Sequence, residues 1–457
     1  MNLTRRTQLL AAILAGLMAG SVQAAEWQEL INESGLGDWT QYGGSASYEN
    51  RDGVIVGYTV PDSPNSFLTT KKHYSDFILE YETLVETSMN SGVQIRSHLG
   101  SEERVQGYQI EVDPTHRRFS GGFYDEQRRM WMYPLTRNEK GRDAFANGTW
   151  NHFRVEAIGE SFRVWVNGIQ TIDVVDNMTA EGFIGLQVHS VNTPEQVGRT
   201  VRWRNMRILT SDLAANRLPP DPDVVQISYL QNRLTDWELR HGWRLLWDGE
   251  SSAGWRGAKL GHFPASGWAM TDGVLTVEAT DGGESTGPGD IVTVEKFSNF
   301  DLQFEFRITK GANSGIKYFV DPNLNRGAGS AIGCEFQVLD DVVHPDAKEG
   351  VNGNRTLGSL YDLITAENLQ TERRAKQFKG IGEWNQGRIV SDNGRVEHWL
   401  NNEKVVEFDR FSQTFRGLVA YSKYKDWPGF CQWPDGHILL QDHGNEVSFR
   451  SIKVREW

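Results

Sequence analysis

Cysteine is scarce in this chain of 457 residues: there are two, Cys334 and Cys431, both in the second half. No cysteine follows the apolar stretch near the N-terminus, which argues against a lipid anchor there. An oxidising compartment would permit the two to bridge, but their spacing leaves open whether they meet. Positive charge is also short, with 47 Lys and Arg against 60 Asp and Glu and a net charge of −13. Such a surface has little attraction for phosphate backbones, so no nucleic-acid partner is expected. Long apolar runs are missing as well. Nothing approaches the roughly 20 residues needed to span a bilayer, so stable membrane insertion is not expected.

A short N-terminal pattern is present instead. Arg5 and Arg6 precede an apolar run from Leu9 to Met18, and Val22-Gln23-Ala24 places small residues where a signal peptidase cuts. Residues 1–24 are therefore expected to be a signal peptide, with the mature chain periplasmic or secreted. Thr4-Arg5-Arg6 adds a weaker hint of twin-arginine export. The 16 Trp, 21 Phe and 13 Tyr suit β-rich cores, and some of the Trp suit stacking on sugar rings.

An internal repeat organises the rest. Tyr74-Ser75-Asp76-Phe77 answers Phe297-Ser298-Asn299-Phe300, and 13 positions later Asn90-Ser91-Gly92-Val93 answers Asn313-Ser314-Gly315-Ile316. Phe123-Tyr124-Asp125 then matches Leu360-Tyr361-Asp362, and Gly148-Thr149-Trp150-Asn151 matches Gly382-Glu383-Trp384-Asn385. The distance from Trp150 to Trp165 is 15 positions, as it is from Trp384 to Trp399. Leu186-Gln187-Val188-His189 pairs with Leu440-Gln441-Asp442-His443. Within each copy apolar residues alternate, as in Phe77 to Glu82 and Asp301 to Phe306, and turn pairs such as Asn167-Gly168 and Asp272-Gly273 punctuate the runs. Many short strands with Gly-rich turns imply a sandwich or jelly roll. The expected architecture is all-β: a first β-sandwich over 25–210, a short partly helical linker over 211–241, and a second sandwich over 242–457. Within the linker, Pro219-Pro220-Asp221-Pro222 precedes an expected helix around Val225 to Glu238.

The second copy resembles the 3-keto-disaccharide hydrolase family, described as 3-keto-glucoside 1,2-lyases and 3-keto-2-hydroxy-glucal hydratases. The resemblance rests on Asn313-Ser314-Gly315-Ile316, Glu335 to Asp340, His344-Pro345-Asp346-Ala347-Lys348, Gly358 to Leu363, Gly382-Glu383-Trp384-Asn385, Glu397 to Asn401 and Leu440 to Gly444. The first copy matches more loosely. The resemblance implies a concanavalin A-like jelly-roll sandwich for each copy and an oxidised sugar or glycoside as substrate. Two departures stand out: Asn402 occupies a position usually held by Gly, and the first copy lacks the His344 to Leu357 segment.

Strand parity sorts the polar residues, because side chains two apart share a face. Glu335 and Gln337 point one way and Cys334, Phe336 and Val338 the other. Gln109 and Glu111 repeat the acid and amide in exchanged order, while Gln441 and His443 share a face, as do Gln187 and His189. An ordinary glycosidase needs two carboxylates flanking the bond, and Gln337 stands where an alternating second acid would be. That disfavours it, although Asp340, Asp362 or Glu383 remain as partners. A ketone at sugar C3 acidifies the C2 proton, so one base and one stabiliser of the enolate oxygen suffice to expel the group at C1. The candidate proton carriers are Glu335, His443, Tyr361 and Glu383. Gln337, Asn385, Gln441, Asp362, Lys423 and Trp427 are candidate substrate contacts.

His344 and Asp346, with Asp340 nearby, form a candidate divalent metal site, against the simpler reading of a polar loop. Two insertions mark the second copy. Gln337 and Tyr361 lie 24 positions apart against 13 between Glu111 and Tyr124, and Trp399 and Gln441 lie 42 apart against 22 between Trp165 and Gln187. Long loops usually carry function, and the later one carries Tyr421 to Trp427, which suits a lid over a sugar. A lectin-like binding protein without catalysis is the competing class, since such sandwiches host both.

Overall fold

The computed structural model describes residues 26–86, 89–280, 283–284 and 289–457, so the expected signal peptide over 1–24 lies outside the described residues. Apolar alternation becomes strands where it was read. In Phe77–Val85 the side chains of Phe77, Leu79, Tyr81 and Val85 are buried while Glu80, Glu82 and Leu84 reach toward solvent. Phe300–Ile308 forms the matching strand of the second copy. Asn167-Gly168 and Asp272-Gly273 close two-residue hairpins with φ of 48° and 81°, and of 52° and 71°. Asn, Asp and Gly tolerate the two successive positive φ values that match the twist of the flanking strands.

Two β-sandwiches result. Strands between Gln28 and Ser228 form a nine-stranded and a seven-stranded sheet, and strands between Arg244 and Glu456 form an eight-stranded and a five-stranded sheet. The inner faces enclose separate cores. Tyr81, Tyr108, Phe123, Phe162 and Trp203 fill one, and Trp247, Phe300, Phe304, Tyr318 and Phe336 fill the other. His398 is buried in the second core. Its Nε2 meets the Tyr318 hydroxyl at 2.8 Å and its Nδ1 meets the Gly358 carbonyl at 3.0 Å. Burial pushes the imidazole down to about 4, so at neutral pH the ring is uncharged and receives the tyrosine proton while donating to Gly358. Among the described residues no helix is long and apolar enough to cross a membrane.

The segment joining the sandwiches corrects one expectation. In place of a helix around Val225 to Glu238, Gln226–Ser228 adds a parallel strand beside Ile169–Val175, and the helix is confined to Asp236–Arg240. The free sheet edge offers Ile227 a ladder and a buried side-chain position, and these tertiary contacts outweigh local helix preference. The short helix starts on a capping box, in which Glu238 N–H donates to Thr235 Oγ1 (3.1 Å) and Thr235 N–H donates to the Glu238 carboxylate (2.9 Å).

This segment also cements the two sandwiches. Glu238 pairs with Lys453, Asn232 exchanges hydrogen bonds with Ser451, and Gln231 Oε1 accepts from Arg450 at 3.2 Å. Asn402 explains its own departure from glycine. It holds φ of 67° in a tight turn, a conformation asparagine tolerates, and its amide donates at 3.1 Å to the Met132 carbonyl and to the Tyr229 hydroxyl. Both acceptors lie outside the second sandwich. Replacing Asn402 with Gly keeps the turn and removes these bonds, together with a contact of the same amide to Gln386 Oε1 at 3.1 Å and the bond its Oδ1 accepts from Arg137 at 3.3 Å. Asn402→Gly is expected to lower unfolding stability by about 3 kcal/mol, at roughly 1 kcal/mol for each of the two hydrogens the amide donates and for the bond its oxygen accepts. Urea denaturation measures this, and an unchanged midpoint would mean that the turn alone accounts for the residue.

Candidate functional site

The five-stranded sheet runs, in spatial order, Trp255–Gly257, Ile291–Thr293, His437–Leu440, Asn313–Asp321 and Ile332–Leu339. One face belongs to the core through Ile316, Tyr318, Cys334, Phe336 and Val338. Pairing of Gly315 with Gln337 and of Lys317 with Glu335 puts these four on the opposite face. The Asn313-Ser314-Gly315 motif now has a physical reading. A Cβ on Gly315 would collide with the Glu335 carboxylate, so the bare glycine lets that side chain lie across the sheet. Ser314 Oγ donates to the Gln441 carbonyl at 2.8 Å and locks the neighbouring strand, as Ser91 does to Gln187 at 2.7 Å in the first copy. Asn313 meets the amide of Gln337, and Gln337, with its amide turned, donates to Glu335 Oε1 at 3.2 Å.

Charge on this face is concentrated and buried. Lys317 Nζ lies 3.6 Å from Glu335 Oε2 and 3.9 Å from Glu284 Oε1, and donates to Ser330 Oγ at 2.6 Å. Burial pulls the ammonium down, but the carboxylates of Glu335, Asp290 and Glu284 outweigh it and raise the group above the ordinary lysine range. The two site acids then part company. Burial lifts the Glu335 carboxyl above its ordinary value against the pull of Lys317 and Lys423. At Glu284 burial also raises, but Lys317, Lys423 and His443 together bring the group below its ordinary value. Gln441 Nε2 donates to Glu284 Oε1 at 3.0 Å, while its own buried Oε1 has no hydrogen-bond partner among the described residues.

The two insertions meet over this face. Backbone bonds from Gly358 N–H to the Gln337 carbonyl (2.8 Å) and from Tyr361 N–H to the Glu335 carbonyl (3.1 Å) lay the 358–361 segment along the Ile332–Leu339 strand. Arg355 then acts as a hub, binding Asp346 Oδ1 at 2.9 Å and Asp362 Oδ1 at 2.7 Å, with its guanidinium 5.4 Å from the Tyr361 ring centroid. Tyr361 OH donates to Asp346 Oδ2 at 2.8 Å. Asp362, held at φ of 61°, accepts the Lys423 backbone N–H at 3.0 Å, which joins the first insertion to the second. Lys423 is exposed at the rim, with its ammonium 4.1 Å from the Tyr361 ring centroid and 5.3 Å from that of Tyr424. Although the residue is exposed, partial desolvation of the ammonium end lowers its pKa against the pull of Glu335, and the Lys317 charge adds to the lowering. A Cys334–Cys431 disulfide, with Cα atoms 5.6 Å apart, ties the second insertion to the back of the strand that carries Glu335.

Of the residues singled out from sequence, the structure gathers Glu335, Gln337, Gln441, Tyr361, Asp362, Lys423 and His443 around this face. His443 stacks edge-on to His344 at 6.0 Å between ring centroids and lies within electrostatic reach of Glu335 and Glu284. Glu383 and Asn385 are elsewhere. Asn385 begins a strand of the other sheet, where its Oδ1 accepts from Lys379 N–H at 2.9 Å, and Glu383 is exposed beside it. Their motif recurs because it is scaffold. Trp384 carries the guanidinium of Arg450 at 4.1 Å, just as Trp150 carries that of Arg204 at 4.1 Å. Trp427 is half-buried within the second insertion and lines a 240 Å³ hollow with Phe415, Arg416 and Phe430.

The metal reading of His344, Asp346 and Asp340 does not fit the donor chemistry. Asp340 accepts backbone N–H groups from Gly311, Val342 and Val343, and both Asp346 oxygens are taken by Arg355 and Tyr361. A guanidinium thus fills the place given to a cation. Among the described residues no three His, Cys, Asp or Glu side chains converge as metal ligands. Three members of the site were not singled out from sequence. Lys317 shares parity with Gly315 and faces Glu335, a signal that strand pairing alone would have revealed; Glu284 and Arg355 sit in loops with no periodic signal.

Comparison with known proteins places the chain in context. The family described as the 3-keto-alpha-glucoside-1,2-lyase-like domain matches residues 26–209 and again 242–455. A 3-keto-disaccharide hydrolase of Bacteroides thetaiotaomicron is 35% identical over 234 residues, covering 47% of this chain and 78% of that protein. A solved structure of a candidate glycosyl hydrolase from Parabacteroides distasonis is 30% identical, covers 50% of this chain and 100% of its own, and superposes with a TM-score of 0.43. A carbohydrate binding module from Bacillus subtilis is 17% identical, covering 39% of this chain and 97% of its own at a TM-score of 0.28.

The Lys317 ammonium is one of the charges holding the Glu335 carboxyl down against burial. Lys317→Met should therefore raise the pKa of Glu335 and move the acidic limb of the kcat/KM profile to higher pH. A pH–rate series on folded variant checks this. An acidic limb that stays in place would remove Glu335 from the role of the titrating base.

Proposed function

The chain belongs to the family of 3-keto-alpha-glucoside-1,2-lyase-like domains and is an enzyme, and from that premise we propose that its second domain cleaves 3-keto-glycosides by elimination followed by hydration. The observation that carries this reading is Glu335, a buried carboxylate made more basic by its burial yet lying against the Lys317 ammonium and within the field of Lys423. Abstraction of a carbon-bound proton needs a strong base in a dry place with positive charge ready for the enolate.

The steps balance without another reactant than water. The Glu335 carboxylate takes the C2 proton, and the electron pair moves into the C2–C3 bond as negative charge builds on the C3 oxygen. The Lys423 ammonium stabilises that oxygen, held at the rim by the Asp362 bond to its backbone. Collapse of the enolate expels the C1 oxygen substituent, which His443 protonates. Water then adds across the resulting glycal: its oxygen bonds to C1 as His443 takes one of its protons, and Glu335 returns its proton to C2, which restores both groups. Tyr361, fixed by Asp346, and Gln337 and Gln441 orient the sugar hydroxyls.

A second reading draws on Glu284, which supplies the second site carboxylate that strand alternation lacks. With Glu335 it would serve a conventional two-carboxylate glycosidase acting on unoxidised sugar. A Glu335 carboxyl held up beside a Glu284 carboxyl held down is also the split that an acid and a nucleophile require, so the charge pattern fits both readings and the substrate separates them. Export to the periplasm or beyond accords with the disulfide, since such bonds persist in oxidising compartments.

The test is turnover of a 3-keto-glucoside and of its unoxidised parent by the mature protein, following enone absorbance and released aglycone, with and without chelator. Turnover of the keto substrate alone is expected, and chelator should leave it unchanged. Lys423→Ala should lower kcat by roughly a hundredfold, as removal of one preorganised oxyanion partner does. Equal turnover of the unoxidised parent would sink the elimination and favour the two-carboxylate reading.

A further inference from the structure

The first domain carries a face built on the same register. Gly92 pairs with Glu111 as Gly315 does with Gln337, and Gln94 pairs with Gln109 as Lys317 does with Glu335. The ammonium and carboxylate of the second domain are thus replaced by two amides, joined by a 2.7 Å hydrogen bond from Gln94 to Gln109. The acid has moved one pleat along to Glu111, which accepts from Asn90 at 2.5 Å and Gln109 at 2.9 Å. Burial pushes the Glu111 carboxyl up to about 7. Hydrogen-bonding capacity has been kept while the charged pair has been removed.

Cross-strand register extends the face in both directions. Tyr42, Phe67, Gln187, Gly92 and Glu111 follow one another across one row, and Gln94, Gln109, Tyr124 and Trp131 across the next row on the same face. Gln187 is 1% exposed, and neither its Nε2 nor its Oε1 has a hydrogen-bond partner among the described residues. A buried amide with both ends unmet marks a place where a ligand or water is missing. Two hollows open at the Tyr42 and Phe67 end of this face. One of 640 Å³ is lined by Asn65, Phe67, Glu102, Glu103, Arg104 and Glu126, and one of 390 Å³ by Tyr42, Thr69, Lys71, His73, His98 and Phe183.

We propose that this face of the first domain is a groove that binds a neutral glucan chain without cleaving it. Amides that both donate and accept match sugar hydroxyls, and the flanking rings of Tyr42, Tyr124 and Trp131 suit the apolar faces of pyranose rings. Three glutamates against one arginine in the larger hollow repel acidic glycans. Two hollows on one face fit a chain rather than a single sugar. The inference is independent of the chemistry assigned to the second domain, because none of its residues takes part.

Native electrophoresis of the full mature chain through gels containing dextran, hydroxyethyl cellulose or carboxymethyl cellulose tests it. At least one of the two neutral glucans should retard the protein, and the carboxymethylated one should not. Tyr42→Ala and Gln187→Leu should each weaken retardation at least fivefold, while the double variant Glu335→Gln with Lys423→Ala should bind as the parent does. Tyr42 lies half-buried at the end of the row, so its variant keeps the test usable if Gln187→Leu does not fold. Turnover of the keto substrate by Tyr42→Ala should equal that of the parent, which separates this result from any failure of the second-domain reading. No retardation by either neutral glucan, or retardation abolished only in the Glu335 and Lys423 double variant, would overturn the proposal.

Discussion

Glu335 and Lys317 face each other across two strands whose reverse sides are dry core, and the rest of the second domain is arranged around keeping that pair in place. Taking both charges out of water costs several kcal/mol per ion, and their attraction offsets this only if further hydrogen bonds complete the shell. Ser330 supplies one for the ammonium and Gln337 one for the carboxylate, while Gly315 leaves the room in which the carboxylate lies. Strand alternation makes the arrangement unforgiving. A slip of one residue would carry Glu335 into the core and Cys334 onto the polar face. The bond from Cys334 to Cys431 opposes that slip, because it pins the core-facing neighbour of Glu335 to a separate segment.

The two copies show what this constraint permits. Scaffold features survive in both: the serine that locks the adjacent strand, the glycine beneath the central side chain, and the tryptophan under an arginine on the outer sheet. What differs is the charge. Gln94 and Gln109 need no compensating cation, so the first domain can do without the Arg355 hub and the second insertion. A neutral amide pair is also the safer occupant of a buried face, since it avoids the penalty of an unpaired ion. Exchange of the charged pair for two amides is therefore a chemically short step, requiring the loss of both members together rather than of either alone.

Much of this was legible in the sequence because it is periodic. Alternation gave the strands, Asn-Gly and Asp-Gly gave hairpins, and the equal spacing of matched motifs gave two copies of one sheet plan. Parity correctly set Glu335 and Gln337 against Cys334 and Phe336. Recurrence misled where it reported scaffold: Glu383 and Asn385 share a repeated motif whose work is to seat Trp384 and cap a strand of the other sheet. Asp346 and His344 looked like ligands because a carboxylate near an imidazole is ambiguous until its counter-ion is known. Arg355 is that counter-ion, nine residues away in a loop with no period. Glu284 was hidden for the same reason, as its approach to Gln441 depends on a loop path that no local pattern encodes.

Loops of this length are tolerable because closure entropy grows only logarithmically, by about 0.6 kcal/mol for each doubling. Their burden is less in stability than in placement, since a long segment has many conformations in which Lys423 points elsewhere. Three restraints narrow them. Arg355 gathers Asp346 and Asp362, Asp362 receives the backbone of Lys423, and the disulfide closes a loop of 97 residues that contains the first insertion and most of the second. In the chain-entropy account such a closure removes roughly 4 to 5 kcal/mol of freedom from the unfolded chain. Because the same closure brackets the strand end behind Glu335 and the part of the second insertion that carries Lys423, it holds base and cation to one register. The first domain has neither cysteine nor insertion, and on its matching face the amides of Gln94 and Gln109 stand in place of the charged pair.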